Sequence, residues 1–389
     1  MKSTLLIFTL ATLGIHYIIN SQKEQVYNKT TSIESSYNPE IEEINMLDVF
    51  HSNNNLAFES VELISLETLP DVLIGEFNQL VINIDKDIYV SNAGNQPEIF
   101  RFNKQGKFLN SIGNQGNGPK EFQSIEDICI HGDTVDVLCK MGNKIKIVGY
   151  KNDDTFLYSK SINLVAYSFE WMSPGYILET SYSPVYPFRV YMTDENGKII
   201  DSFLPNTTGF PMASAEKNFS RIGSKVFCKE SLNNEVYIAE GHKLSPAYNI
   251  NLGSFKVPKE YFKSDPMQAY QLLQGRAVAL IRKYFETPSN AFFHIRQKPK
   301  STSGVKDLID HIVVLDKNTK KIMKRSFKVQ SEDLFKNPVS GTLNDEIVFL
   351  IYPYMIFSDR QAFNLLPIKN AGIIDRLKVD DNPILAICK

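Results

Sequence analysis

The chain has 389 residues, 43% of them apolar, with 25 Phe and 18 Tyr but a single Trp. A formal net charge of −2 gives no global field to attract nucleic acid or an anionic membrane. Aromatic richness of this kind favours sheet over helix, and the apolar content can fill a large core.

Lys2 precedes LLIFTLATLGIHYII (5–19), an apolar run interrupted by His16. A spanning helix needs about 20 apolar residues, so this run suits the core of a secretory signal. The segment IINSQ (18–22) lacks a small-x-small cleavage pattern, which leaves an uncleaved anchor as the alternative. Residues 1–22 are therefore a signal peptide or amino-terminal anchor of an exported protein, in the periplasm or on the cell surface. Residues 23–57, rich in Asn, Glu and Ser, read as a polar tether with a weak apolar patch at INMLDVF (44–50).

The run PEIFRFNKQGKFLNSIGNQGNGPKEF (97–122) carries the organising pattern. Phe100 and Phe102 alternate with Ile99 and Arg101, as in a strand. Asn103 and Gly106 suit the tight turn that follows. After the second strand, Gly113, Gly116, Gly118 and Pro119 shape a bent crossing to the next apolar run. Weaker copies of the turn occur at YKNDDT (150–155), MTDENGK (192–198) and LDKNTKK (315–321), about 47, 42 and 123 residues apart. Periods near 40–50 residues with four strands per unit are the mark of a β-propeller.

Six blades fit: about 77–112, 122–162, 165–204, 219–255, 276–328, and 339–353 joined by PILAICK (383–389). Within blades three and four, GYILETS (175–181) and EVYIAE (235–240) are the expected second strands. SVELISLE (60–67) is expected to close the ring as the outermost strand of blade six, making 58–389 one all-β domain. Helices are expected as insertions: one of about ten residues from Pro266, capped by Ser264 or Asp265 and ended by Gly275, and short ones at 358–366 and 371–378.

On LIGEFNQLVINIDKDIYVSN (73–92), FNKQGKFLNSIGNQGNGPKEF (102–122) and NPILAICK (382–389), the chain resembles six-bladed propellers of Bacteroidetes-type cell envelopes, shaped like NHL-repeat and TolB-like propellers. Those relatives have Gly-Pro-Gly-Glu where this chain has Gly118-Pro119-Lys120-Glu121. Many also carry a lipoprotein cysteine, whereas no cysteine here precedes Cys129, so no amino-terminal lipid is expected. The resemblance implies a fold and a compartment, with no reaction attached.

Motifs for chemistry are missing from the sequence. The glycines at 113, 116 and 118 do not form GxGxxG, and neither GxSxG nor HExxH occurs. Acidic turns at 85–87, 151–154 and 194–196 lack the order of a calcium loop. Cys129, Cys139, Cys228 and Cys388 lie in apolar strands, where free cysteines act as small hydrophobes; a bridge between Cys129 and Cys139, on adjacent strands, is the alternative. No cofactor and no metal ligands are expected. Ligands of propellers enter where the innermost strands meet the channel, here YSFEWM (167–172), ALIRKYF (279–285) and EIVFLIYPYMIF (346–357). These name Glu170, Trp171, Arg282, Tyr284, Tyr352 and Tyr354 as binding candidates. The resulting expectation is a monomeric, non-catalytic binding or scaffold module for a protein, peptide or glycan of the envelope. The alternative is a lactonase-like hydrolase or lyase, with residues drawn from several blades and a divalent cation in the channel.

Overall fold

The repeated turn has a common chemical basis. Asn103 Oδ1 accepts the amides of Gln105 and Lys107, Asp194 Oδ1 those of Asn196 and Lys198, and Asp316 Oδ1 those of Asn318 and Thr319. Asp153 Oδ1 likewise accepts the Thr155 amide. Each side chain closes the loop that joins the third and fourth strands of a blade. Blade four makes this connection through Gly241 and His242 alone, with Glu240 opposite Lys243, which is why it escapes the repeat.

The computed structural model describes residues 41–51, 56–75, 77–83, 87–92, 97–142, 144–180, 182, 185–208, 217, 219–230, 232–301, 305–329, 333–337 and 345–389. The signal or anchor expected over residues 1–22 lies outside these. Six sheets form the blades of a β-propeller. Four-stranded antiparallel sheets over 77–111, 127–162, 168–205 and 278–328 make blades one, two, three and five. Blade four comprises Phe219–Ile222, Lys225–Lys229, Glu235–Glu240 and Lys243–Asn251. EVYIAE is thus its third strand, not its second, because the tight turn at Gly223 starts a strand already at Lys225.

Blade six is assembled from both ends of the chain. Ile347–Ile351 lies innermost, Ile384–Cys388 beside it, and Val61–Ser65 pairs antiparallel outside that. A fourth position is filled without a regular strand: Val61 exchanges backbone hydrogen bonds with Pro367 and Lys369. The Asn370 side chain does the same for both polar groups of Leu63, at 2.9 and 2.8 Å. The closing strand buries Val61 and Leu63 towards blade five, and half-buried Ile64 packs towards blade one. The apolar residues on both of its faces are thereby covered.

Six apolar clusters follow, one for each junction between neighbouring blades. The junction that joins the last blade to the first sets Leu80, Val90, Phe100 and Phe102 against Val348, Leu350, Leu385 and Ile387. Cys129 faces the blade two–three cluster and Cys139 the blade one–two cluster, so the pair cannot bridge; all four cysteines are buried and free.

The polar stretch 23–57 contains a docked portion. Glu42–Asn45 runs parallel to the outer strand of blade four, and Leu47–His51 forms a helical turn. Met46 and Val49 are buried, Phe50 meets Phe255 at 4.2 Å, and Lys324 of blade five donates to the Val49 carbonyl. This segment leads from blade four past blade five into the closing strand. Glu67 then reaches blade one, donating its amide to Gly106 O and accepting the Phe108 amide at Oε2. Gly106 has φ +80°, and a Cβ there would collide with the Ser65 carbonyl, so only glycine admits this approach.

The insertions form as expected, with one shift. Pro266–Leu273 is helical, with Asp265 Oδ1 accepting the Met267 and Gln268 amides, and Ala371–Arg376 is a 3-10 turn. The innermost strand of blade six, however, stops at Ile351. Pro353 takes the first position of a helix over Pro353–Ser358, a place where its missing N–H costs nothing.

Asn382 ties the seam together. Its Oδ1 accepts the Ile74 amide at 2.8 Å, and its Nδ2 donates to Glu67 O and Val72 O at 2.8 and 2.7 Å. Asn382→Ala would strand three polar groups, and buried groups without partners cost about 1–3 kcal/mol each. Urea unfolding should show a loss of about 3 kcal/mol; a loss below about 0.5 kcal/mol would mean that the seam is held elsewhere.

Candidate functional site

The inner strand of blade two reads DICIH (Asp127–His131) and places Asp127, Cys129 and His131 on one side, facing blade three. Asp127 Oδ2 accepts from Ser168 Oγ and the Phe169 amide, both at 3.0 Å. The Cys129 thiol donates to Glu170 Oε1 at 2.8 Å and accepts the Trp171 amide at 3.2 Å. The His131 ring stacks on Trp171, with centroids 4.7 Å apart and planes 13° apart. Its Nε2 meets Asp136 Oδ2 at 2.8 Å, while the hydroxyls of Tyr158 and Tyr176 donate to the same fully buried carboxylate. Three rungs thus join the inner strands of two blades.

The other side of this strand, and its edge, are met by blades one and four. The Gln79 amide clasps Ile128, accepting its N–H at 2.9 Å and donating to its carbonyl at 3.2 Å. From across the channel, Lys217 Nζ donates to Ile128 O at 3.1 Å and Arg221 Nη2 to Ile130 O at 2.6 Å. The same two cations face the carboxylates: Lys217 lies 3.6 Å from both Asp127 and Glu170, and Arg221 Nε lies 3.3 Å from Glu170. Arg221 also stands 5.8 Å from the centre of the Trp171 ring.

Burial and charge oppose each other here. Burial pushes the Asp127 carboxyl above the usual range, although Lys217 pulls the other way. Burial works against the Lys217 charge too, yet the facing Asp127 and Glu170 outweigh it and hold its pKa above that of an ordinary lysine. The Cys129 thiol is pushed well up by burial and then by Glu170, so it stays protonated and serves as a donor.

Beside this frame lies a cavity of about 410 Å³. Its apolar walls include Val81, Ile82, Phe219 and Phe285, and its polar walls include Asn83, Glu170, Lys217, Ser220 and Arg221. Blades one to five contribute, so it occupies the central channel. Of the six candidates from the sequence, Glu170 lines this cavity, and Trp171 stands beside it, stacked on His131 and 5.8 Å from Arg221. Arg282 is the residue extruded where the blade-five ladder slips between Ile281 and Lys283, and Tyr284 is buried between blades four and five, 5.3 Å from Phe293. Neither lines the cavity. Tyr352 ends the blade-six strand and donates to Gly75 O at 2.8 Å, and Tyr354 is an exposed helical residue stacked on it at 5.8 Å. Asp127, His131, Lys217 and Arg221 were not anticipated. The clue available was DICIH itself, three polar residues on one face of an otherwise apolar strand.

The chain belongs to the DUF4934 family, described as a domain of unknown function, whose model matches residues 17–389. No curated protein matches it significantly. Among solved structures it is similar to a protein of Bacteroides fragilis NCTC 9343 named for its expected export, at 16% identity. That likeness covers 85% of this chain and 94% of the other, with a TM-score of 0.69. It is also similar to a DUF4221 family member from Bacteroides vulgatus ATCC 8482, at 10% identity over 86% and 97% of the two chains, with a TM-score of 0.47. At 16% identity the first of these likenesses shows a shared fold and nothing finer.

Lys217→Met would leave Glu170 facing Arg221 and take from Asp127 the cation it faces. Breaking a buried pair costs about 3–5 kcal/mol. With its counter-ion gone, the Asp127 carboxyl should move further above its unfolded value. The folded variant then takes up a proton that the unfolded chain does not, so its stability rises as pH falls. Urea unfolding should show a deficit of about 3 kcal/mol at pH 7.5 that shrinks by pH 5; a deficit independent of pH would contradict the pairing.

Proposed function

We propose that this DUF4934 protein is an exported, non-catalytic binding module of the cell envelope that seats part of an envelope component at the mouth of its channel. The observation that carries this reading is the state of the channel charges. Asp127 and Glu170 each already face Lys217, and Glu170 also faces Arg221, while partly exposed Arg221 lines the cavity and half-buried Trp171 stands next to it. A site whose charges are paired beforehand recognises a ligand with little rearrangement, and a cavity of about 410 Å³ lies within the range of ligand pockets. Export is supported by the apolar run 5–19 and by the name of the Bacteroides fragilis neighbour.

The residues present fit a channel-bound divalent cation poorly. Among the described residues, no three His, Cys, Asp or Glu side chains converge as ligands of a metal would. Asp127 is turned to Lys217, and Glu170 to Lys217 and Arg221, so a dication between them would have to displace these cations.

Calorimetric titration with polysaccharide and peptide fractions of the envelope tests this reading. Wild type should bind one of them without converting it, and Trp171→Phe, which keeps an aromatic ring against His131, should weaken binding at least fivefold. Turnover of a lactone or glycan by the purified protein, or binding indifferent to Trp171→Phe, would overturn it.

A further inference from the structure

We infer that the group held in the channel is a neutral sugar unit, bound through adjacent hydroxyls by Glu170 and Arg221; the inference rests on the channel being the binding site. Glu170 spends one oxygen and keeps the other open. Oε1 takes the Cys129 thiol at 2.8 Å, with the Trp171 amide and Arg221 Nε each at 3.3 Å. Oε2 is 3.6 Å from Lys217 Nζ, beyond a hydrogen bond, and among the described residues it has no other partner. The side chain is 8% exposed and lines the cavity, so this acceptor is nearly buried and opens on the ligand space. A ligand that takes the place of water beside it must supply a donor in return.

Arg221 is the complement. Nε and Nη2 are committed to Glu170 and Ile130 O, whereas Nη1 has no acceptor among the described residues, and the side chain is 28% exposed. The cavity therefore offers an acceptor and a donor side by side, on two charges that cancel. A ligand carboxylate would meet Glu170 as a like charge, and an ammonium would meet Arg221 and Lys217. A purely apolar ligand would leave Oε2 unsatisfied. Hydroxyls both donate and accept, and a neighbouring pair on one ring answers the two groups at once without adding charge. The C–H faces of the ring have Val81, Ile82, Phe219 and Phe285 to pack on.

The chain's single tryptophan is Trp171, beside this site, so its emission reports on occupancy. Wild type would be titrated with maltotriose, mannotriose and chitotriose, with trigalacturonate, and with the tripeptide Ala-Ala-Ala. The expected result is a saturable change with at least one neutral trisaccharide and none with the other two probes. Glu170→Gln, which replaces an acceptor by a donor, should raise the Kd at least tenfold. Val81→Phe, which fills the cavity from blade one without touching the charges, should abolish binding even if Glu170→Gln fails to fold. A response to trigalacturonate or to the tripeptide alone would overturn the sugar assignment while leaving the channel as the binding site. Neutral-sugar binding that survives Val81→Phe would overturn both. No response to any of the five probes would overturn the sugar assignment.

Discussion

Every innermost strand of a propeller has a neighbour on one side and bare N–H and C=O groups on the other. Closing the ring completes blade six and leaves six inner edges around the channel. Here side chains take the place of the missing strand. Gln79 pairs with Ile128 as a strand residue would, and Ser220 Oγ both accepts the Glu286 amide and donates to its carbonyl, at 2.9 and 3.2 Å. Asp127 Oδ2 accepts the Phe169 amide, and Lys217 and Arg221 reach two carbonyls of blade two from blade four. The polarity of the channel is thus first a demand of the fold. Binding capacity is what remains after that demand is met, and among the described residues it includes Glu170 Oε2, Arg221 Nη1 and the apolar walls beside them.

Satisfying the edges with ions has a consequence for the channel's chemistry. Buried charges need partners, so each carboxylate brought in to tie strands has drawn in a cation. The resulting set is neutral in sum and held by backbone contacts on two sides. Such a frame is poorly suited to gather metal ligands and well suited to hold a polar, uncharged group in a fixed orientation. The outer rim obeys a similar logic with different means. Three strand positions of blade six come from opposite ends of the chain, and the fourth is made by backbone at 367–369 with the Asn370 side chain. The segment at 42–51 extends that closure around blades four and five.

The architecture was legible because its signal is local. An Asx side chain and a few apolar alternations fix four of the outer hairpins within about ten residues, and most blade boundaries followed from them. The closing strand was legible for a related reason, since apolar residues on both faces of 60–67 demanded cover. The site was legible only in part. Glu170 and Trp171 sit on a strand whose register the pattern fixed. Lys217 and Arg221 act on carbonyls 89 and 91 residues earlier, across the channel, and no periodicity encodes such a chord. Tyr352 and Tyr354 were placed wrongly because Pro353 was read as part of a strand when it opens a helix. Arg282 was lost to a one-residue slip in the ladder, which turns a side chain away without changing the composition of the strand.

Hydrogen exchange resolved to single amides tests the claim that side chains complete the inner edges. The amides of Ile128 and Phe169 donate to the side chains of Gln79 and Asp127, and that of Glu286 donates to Ser220. These three should exchange as slowly as amides inside the antiparallel ladders, released only when the domain unfolds. Exchange at rates typical of surface turns would show that the inner edges are open, and the account of the channel would fail with them.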